Sequence, residues 1–306
     1  MLKALTNEKH KNLVKLLATY KYKGRYHLLF PYAEANLRSL WDSFPNPQRN
    51  VKTYRWALDQ MTGLSSGLVA IHSYKSNMAY KQELGNPGLT RFRLSATMNI
   101  VIATKEEKFG RHGDLKPENI LWFNDSNGPQ NSNGVGPYGI LQITDFGLGR
   151  FHRLESRSMV DPKKVAGSAS YTPPEISLVQ FVSRAYDIWS LGCVFLEFVT
   201  WLLEGSTGLE RFTDVRIEKV SAEMEDDTFY SLVQGGAEVR GGVQKWIEHL
   251  KSSPRCSPMV YELLQLLKDE LLVVESKSRI KAERLYIRLT EMLEKSRDQG
   301  YLIGNI

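Results

Sequence analysis

The strongest constraint on this chain lies in two short polar motifs at the ends of predicted strands. Residues 112–119 have the sequence His-Gly-Asp-Leu-Lys-Pro-Glu-Asn, and residues 145–147 have the sequence Asp-Phe-Gly. Apolar stretches at Ile120–Phe123 and Ile140–Ile143 predict two short strands between the motifs. Asp-Phe-Gly alone is weak evidence, because three-residue matches occur by chance. The ordered combination is specific, and it places two acidic groups, one lysine and one amide near strand ends.

This set of side chains suits phosphoryl transfer, a reaction that asks for little covalent chemistry from a protein. It requires metal ions that neutralise phosphate charge, cations at the transferred group, and a carboxylate that orients the attacking hydroxyl. The sequence therefore predicts a phosphotransfer site formed by the two motifs together.

The two motifs resemble those of the eukaryotic protein kinase family, and the resemblance covers nearly the whole chain. It implies that Asp114 is the catalytic base and that Lys116 contacts the γ-phosphate of ATP. It also implies that Asn119 and Asp145 hold Mg²⁺. A lysine two positions after the catalytic aspartate is similar to the Ser/Thr branch, so the implied partners are protein substrates with a serine or threonine acceptor.

One position in the first motif departs from the family pattern. Gly113 stands where many kinases carry an arginine beside the catalytic aspartate. Because that arginine normally meets a phosphate on the activation loop, we do not expect this chain to use that switch.

Motifs further downstream carry the same resemblance. Residues 167–175, Gly-Ser-Ala-Ser-Tyr-Thr-Pro-Pro-Glu, resemble the end of the family's activation segment. Residues 187–192, Asp-Ile-Trp-Ser-Leu-Gly, resemble the start of its buried central helix, whose aspartate braces the catalytic loop. The resemblance also implies an ion pair between Glu175 and Arg279, and a Ser168 hydroxyl aimed at the catalytic aspartate. Structural or regulatory roles are implied for six residues: His112, Phe146, Ser168, Glu175, Asp187 and Arg279.

The upstream part of the chain resembles only part of a kinase N-lobe. Residues 10–14 resemble the link from the regulatory helix into the next strand, and residues 28–33 resemble the hinge. The resemblance implies that the Ala33 amide binds adenine and that Leu121 lies under the purine ring. The family's Gly-rich loop and strand lysine should precede Met1, and neither occurs upstream of the hinge. We therefore expect an N-terminally truncated kinase domain whose activity is impaired.

Hydrophobic patterns predict an α+β fold with a dominant helical part, and the resemblance implies that this fold is protein kinase-like. Strands over Val14–Tyr20 and Arg25–Tyr32 come first, and segments with helical periodicity follow. The resemblance implies a remnant of the β-rich N-lobe over residues 1–33 and a mainly helical C-lobe over residues 34–306. Helices are predicted near residues 36–41, 54–71, 187–203, 241–251, 258–273 and 281–296. Stretches without a clean period predict inserts near residues 74–109 and 124–139.

The composition limits the binding partners and the cellular compartment that we expect for this chain. The net charge of +6 comes from scattered basic residues rather than long runs, so a nucleic-acid partner is not expected. Two cysteines cannot build a disulfide framework, which predicts a reducing, intracellular setting, cytoplasmic or nuclear. The longest apolar run, Ile188–Leu203, contains Glu197 and predicts a buried helix, so no membrane anchor is expected.

Two alternatives remain beside an active Ser/Thr kinase. A catalytically inactive pseudokinase or scaffold would act through partner binding. The absent N-lobe elements favour it, whereas the intact Asp114, Lys116, Asn119 and Asp145 argue against it. A small-molecule kinase of the aminoglycoside or choline type also shows His-Gly-Asp followed by Asn. Such relatives lack the Asp-Phe-Gly and the downstream motifs found here.

Overall fold

The computed structural model of the chain describes residues 10–73, 89–95, 98–103, 110–124, 136–145, 170–180, 182–219 and 225–304. Short strands occupy the first part of the chain and the longer helices follow, so the predicted α+β class is confirmed. The hydrophobic core lies in the helical part. The predicted boundary between two lobes at residue 33 stays a prediction.

An antiparallel hairpin opens the described chain. It consists of β1 (Ala18–Tyr22) and β2 (Arg25–Leu29). Both residues of the turn between them have positive φ, 46° at Lys23 and 78° at Gly24, as a two-residue type I′ turn requires. Both strands are shorter than the sequence predicted, and most of their side chains are exposed.

Residues 10–14 do not extend this hairpin, because they run beside the strand β7 (Gly139–Ile143). The Val14 amide donates to the Ile143 carbonyl over 3.0 Å, and the Ile143 amide donates to the Asn12 carbonyl over 2.9 Å. Leu13 and Val14 are buried there. The predicted start of the first strand at Val14 is therefore wrong, since burial against β7 draws these residues away from β2.

A three-stranded antiparallel sheet carries the candidate site. Its order is β3 (Ala35–Asn36), β6 (Ile120–Asn124) and β7. The strands predicted on either side of the 124–139 stretch are therefore present as β6 and β7. Helix α1 (Leu37–Ser43) follows β3 directly, and the Asn36 side chain caps it by accepting from the Ser39 amide over 2.9 Å.

The stretch over residues 74–109 contains a second hairpin that the sequence analysis did not predict. β4 (Leu89–Ser95) and β5 (Met98–Ala103) pair antiparallel, with an irregularity between Arg93 and Ser95. The β-branched run Ile100-Val101-Ile102 is the signal that favours a strand here. The rest of this stretch lies outside the described residues.

Helix α2 (Val51–Ser73) confirms the predicted periodicity and is longer than expected at both ends. Its apolar face is wholly buried: Ala57, Met61, Leu64, Leu68 and Ile71. The helix thereby supplies one wall of the core, directly ahead of the segment that leads to the catalytic loop.

The central helix α4 (Ala185–Arg216) follows the short helix α3 (Pro174–Ser177) and extends well past the predicted end near residue 203. It kinks at Gly205, where φ is 70° and an added Cβ would lie 2.1 Å from the Pro45 carbonyl oxygen. Only glycine fits this position. By length and composition α4 could cross a membrane. However, 94% of its apolar 18-residue stretch is buried inside the protein, as the prediction of a core helix requires.

Two small hairpins follow α4, and neither was predicted. They are β8 (Glu218–Lys219) with β9 (Glu225–Asp226), and β10 (Tyr230–Val233) with β11 (Gly236–Val239). The helices predicted downstream are confirmed, and a short last helix joins them: α5 (Gly241–Lys251), α6 (Pro258–Leu266), α7 (Ala282–Lys295) and α8 (Gln299–Ile303). A π-helical turn at Leu267–Leu271 continues α6.

Candidate active site

The predicted catalytic loop begins at a buried carboxylate. Asp187, on the first turn of α4, accepts from the amides of His112 over 2.9 Å and Gly113 over 2.8 Å. His72, near the end of α2, places its Nε2 2.9 Å from the same carboxylate. Burial alone would raise the pKa of Asp187, but the bond to His72, the charge of His72 and the Gly113 amide outweigh it and lower this pKa. Asp187 therefore remains ionised.

His112 joins the catalytic loop to the segment that leads into Asp145. Its Nδ1 accepts from the Asp114 amide over 3.1 Å, and its Nε2 lies 2.7 Å from the carbonyl oxygen of Thr144. Because a carbonyl can only accept, the ring proton is on Nε2. The buried imidazole thus fixes the backbone of Asp114 relative to that of Thr144.

Three predicted catalytic residues meet at one carboxylate oxygen. Oδ2 of Asp114 lies 3.2 Å from Lys116 Nζ and 3.0 Å from Asn119 Nδ2. The Asn119 amide nitrogen also donates to the Asp114 carbonyl over 2.8 Å. Asp114 and Lys116 are half-buried, and Asn119 is buried at the end of a 3₁₀ turn, Pro117–Asn119. The loop therefore holds a carboxylate, a cation and an amide in one oriented group.

Asp145 stands at the same end of the β6–β7 hairpin as Asn119. The Thr144 amide donates to the Asn119 carbonyl over 3.0 Å, and Ile120 pairs with Ile143 just beyond. Asp145 has φ of 59°, in the left-handed region that residues other than glycine rarely occupy. Strained backbone of this kind clusters at functional sites. The following Phe146 lies outside the described residues.

The chemistry of Asn119 and Asp145 fits a magnesium ion that arrives with a nucleotide. Both bonds described for the Asn119 side chain use its nitrogen, and its amide oxygen and the Asp145 carboxylate are the ligand types that Mg²⁺ prefers. Over the described ranges, no group of three or more His, Cys, Asp or Glu is placed to hold a metal alone. A pair of protein ligands completed by phosphate and water is a usual arrangement for Mg²⁺.

The two predicted adenine contacts lie near one edge of the three-stranded sheet. Ala33 comes two residues before β3, and the next amide, of Glu34, donates to the Trp122 carbonyl over 3.2 Å. Leu121 pairs with Asn36 of β3 and is half-buried. Their roles in binding adenine stay predictions.

One G-x-G-x-x-G match, residues 134–139, does occur in the chain, but it lies after the catalytic loop and leads into β7. Its described part is fixed by two tryptophans. Trp122 Nε1 donates to the Pro137 carbonyl over 3.1 Å, and Trp56 Nε1 donates to the Gly139 carbonyl over 2.8 Å. The kinase Gly-rich loop precedes the strand lysine, so this match is not that loop.

The end of the activation segment is anchored by the ion pair that the sequence predicted. Arg279 Nη1 and Nη2 each lie 2.8 Å from one oxygen of Glu175. The guanidinium also donates to the backbone carbonyls of Val273, Val274 and Ala185. Ser168, predicted to point at the catalytic aspartate, lies outside the described residues.

A buried polar network beside this anchor was missed. Glu197 of α4 accepts from Tyr171 over 2.8 Å and from Arg38 over 2.9 Å, and Arg216 lies 3.4 Å away. Burial and then the Glu197 charge raise the pKa of Tyr171, so its hydroxyl stays a donor. For Arg38, burial acts to lower the pKa, but Glu197, Tyr171 and Glu118 raise it overall. The available signal was a glutamate inside an apolar run, which requires a buried partner.

An α+β fold with a helical core, built around these motifs, defines a kinase-like domain. A family model described as "Protein kinase domain" matches residues 103–287, more than half of the chain. The chain therefore belongs to the protein kinase domain family, and the predicted family and kinase-like fold are confirmed.

Among curated proteins, the chain is similar to several kinases at low identity. It is 25% identical over 198 residues to cyclin-dependent kinase-like 5 of Mus musculus, covering 64% of this chain and 15% of that protein. It is 31% identical over 155 residues to serine/threonine-protein kinase HAL4/SAT4 of Saccharomyces cerevisiae, covering 50% and 21%. It is 30% identical over 118 residues to human 3-phosphoinositide-dependent protein kinase 1, covering 39% and 19%. The chain thus matches a minor part of each relative's length.

Proposed function

We propose that this domain is a protein serine/threonine kinase that transfers the γ-phosphoryl group of ATP to a hydroxyl of a protein substrate. The observation that supports this most directly is the shared contact at Asp114. Its Oδ2 lies 3.2 Å from Lys116 Nζ and 3.0 Å from Asn119 Nδ2. These contacts hold the carboxylate in one orientation, which a base that receives the proton of an incoming hydroxyl requires.

Each of the other site residues has a separate part in this proposal. Lys116 supplies positive charge at the transferred group, and Asn119 and Asp145 hold the magnesium ion. When bound, Mg·ATP supplies the phosphoryl group and the cation that neutralises its charge. Ala33 binds the adenine edge through its amide, and Leu121 supports the ring from below.

The acceptor class rests on a sequence feature and on the relatives. Lys116 stands two residues after Asp114, as in the Ser/Thr branch, and the yeast relative carries serine/threonine-protein kinase in its name. The proposal includes an intracellular location, cytoplasmic or nuclear. It is supported by Cys193 and Cys256, both of which are free thiols.

The test is transfer of labelled γ-phosphate from ATP to a serine- and threonine-containing acceptor protein, followed by phosphoamino-acid analysis. Asp114→Asn and Asp145→Asn should each abolish the transfer, since they remove the base and a magnesium ligand. Asp59→Asn is the matched control, because Asp59 is a half-buried aspartate of α2 that contacts Gln60 at 3.0 Å and Lys11 at 3.9 Å and is not one of the site residues. Label on serine or threonine that both site variants lose supports the proposal. Transfer that survives Asp114→Asn overturns the proposal. Because the activity is expected to be impaired, the assay runs at saturating Mg·ATP over a long incubation, and no transfer under those conditions also overturns the proposal and favours the scaffold alternative.

A further inference from the structure

Two consecutive hydroxyls at the end of the activation segment are each bound by a carboxylate. Ser170 Oγ lies 2.6 Å and 2.7 Å from the two oxygens of Asp227. Tyr171 donates to Glu197 over 2.8 Å. The two carboxylates come from different elements, since Glu197 is in the middle of α4 and Asp227 follows β9. The position of residues 170 and 171 therefore depends on what holds those two carboxylates in place.

Arg216, the last residue of α4, spans both carboxylates. Its Nη1 lies 3.4 Å from Glu197, its Nη2 lies 3.9 Å from the Asp227 carboxylate, and its Nε donates to the Asp227 carbonyl over 3.2 Å. The guanidinium is buried against two aromatic rings, 4.4 Å from the centre of Phe212 and 4.3 Å from that of Phe229. A planar cation packed against two rings has restricted freedom to rotate, so its donors point in fixed directions.

A second buried arginine fixes the loop that carries Asp227. Arg240 donates to the Asp226 carbonyl over 2.7 Å, to Thr228 Oγ1 over 3.1 Å and to the Tyr230 carbonyl over 3.0 Å. It also donates to the carbonyl of Arg216. The β8–β11 region is thus tied to the end of α4 on both sides of Asp227.

Arg38 connects this network to the catalytic loop. Arg38 of α1 donates to the Tyr171 hydroxyl over 2.6 Å and to Glu197 over 2.9 Å. Its Nε lies 3.8 Å from Glu118, in the 3₁₀ turn between Lys116 and Asn119. A continuous set of charged contacts therefore links the β8–β11 region, the activation segment and the catalytic loop.

We propose that Arg216 is a positioning residue for phosphotransfer to the protein substrate. It holds Glu197 and Asp227 so that they bind Tyr171 and Ser170, and this fixes the part of the activation segment against which a substrate lies. Among the described residues, these contacts come from the chain's own arginines and carboxylates. This inference rests on the proposed kinase function, but its structural part can be measured separately.

The experiment compares two single-contact variants with matched controls. Tyr171→Phe removes one hydroxyl–carboxylate bond, and its control is Tyr301→Phe, which removes the 2.8 Å bond of Tyr301 to Glu262 on distant helices. Ser170→Ala removes the bond to Asp227. Its control is Ser252→Ala, which removes a 2.9 Å bond to the Glu248 carbonyl at the exposed end of α5. All four proteins are compared by backbone hydrogen exchange over residues 170–177 and by steady-state kinetics.

Both segment variants should exchange about tenfold faster over residues 170–177, the effect expected from one net hydrogen bond. The KM for the protein substrate should rise severalfold, while the KM for ATP stays unchanged. Arg216→Met should produce a larger effect than either, because it removes one contact from each of the two carboxylates at once. The controls should alter neither quantity.

The two proposals fail in different ways. If Tyr171→Phe and Ser170→Ala exchange faster over residues 170–177 but the wild-type protein transfers no phosphate, the network still positions this segment. The kinase function is then overturned. Exchange equal to the controls in Tyr171→Phe and Ser170→Ala overturns the role of Arg216, whatever the activity. A rise in the KM for ATP equal to that for the substrate also overturns it, since the effect is then not confined to the substrate side.

Discussion

Glu175 and Arg279 face each other through two parallel contacts of 2.8 Å, and neither side chain is more than 1% exposed. A pair of this kind stabilises little in total, but removing one member leaves a buried charge without its partner.

Arg279→Met should therefore lower the free energy of unfolding by about 3–5 kcal/mol, measured by urea unfolding. The matched control is Arg288→Met, because Arg288 pairs with Glu270 at 3.0 Å near the surface and should cost less than about 1 kcal/mol. The double variant Glu175→Gln/Arg279→Met should recover part of the loss. Equal losses for Arg279→Met and Arg288→Met would contradict this account of the pair.

Gly113→Ala should destabilise the protein by about 1–2 kcal/mol through backbone strain alone. Gly113 has φ of 79°, yet an added Cβ would meet nothing closer than 3.6 Å, the Nε of Arg111. The control is Gly241→Ala, which adds a methyl group into open space at the start of α5 without positive φ. Thermal unfolding should separate the two, and a Gly113→Ala protein as stable as the control would rule out the strain.

The Asp187 carboxylate should make the free energy of unfolding depend on pH in the acidic range. Its pKa is lowered in the folded protein, so its contribution is fully present above the ordinary value of 3.8 and is lost as pH falls through the folded value. The stability gap between wild type and Asp187→Asn should therefore be constant from pH 7 to about pH 5 and narrow below pH 4. Urea unfolding from pH 3 to 7 measures it. A gap that widened in acid would show that the pKa is raised.

Asp145→Ala should reduce the stabilisation that Mg·ATP gives this protein, because Asp145 is a proposed magnesium ligand. A ligand at one hundred times its Kd adds about 2.7 kcal/mol, a shift of several degrees in Tm. The measurement is the Tm with and without Mg·ATP, in wild type and in Asp145→Ala. A Tm shift of equal size in the two proteins would contradict the role of Asp145 as a magnesium ligand.

Val179→Gly should raise stability by about 0.5–1 kcal/mol, the strain relieved minus the entropy that glycine adds to the unfolded chain. Val179 follows α3 with φ of 54°, and its side chain is 51% exposed, so little packing is lost. Val215→Gly is the control, since Val215 is 47% exposed but lies inside α4, where glycine should destabilise. A loss of stability at both positions would show that Val179 is not strained.

The sequence was sufficient for features that depend on local pattern. The period of α2 and the order of the catalytic motifs follow from neighbouring residues, and both are present in the structure. The network around Glu197 could not be predicted, because Arg38 and Glu197 are 159 positions apart and many glutamates could have served. The β8–β11 hairpins were missed for a related reason. Their strands have two to four residues, too few to show a period, and the buried Arg240 orders them from outside.

His72 and His112 contact the same oxygen of Asp187, one through its side chain and the other through its amide. The segment between the two histidines is therefore held at both of its ends by the same carboxylate oxygen. The entropic cost of closing such a loop grows only with the logarithm of its length. By this entropic cost alone, a change in the length of chain between His72 and His112 costs the catalytic loop little, because the position of that loop depends on the contacts at Asp187 and only weakly on how many residues separate the two histidines.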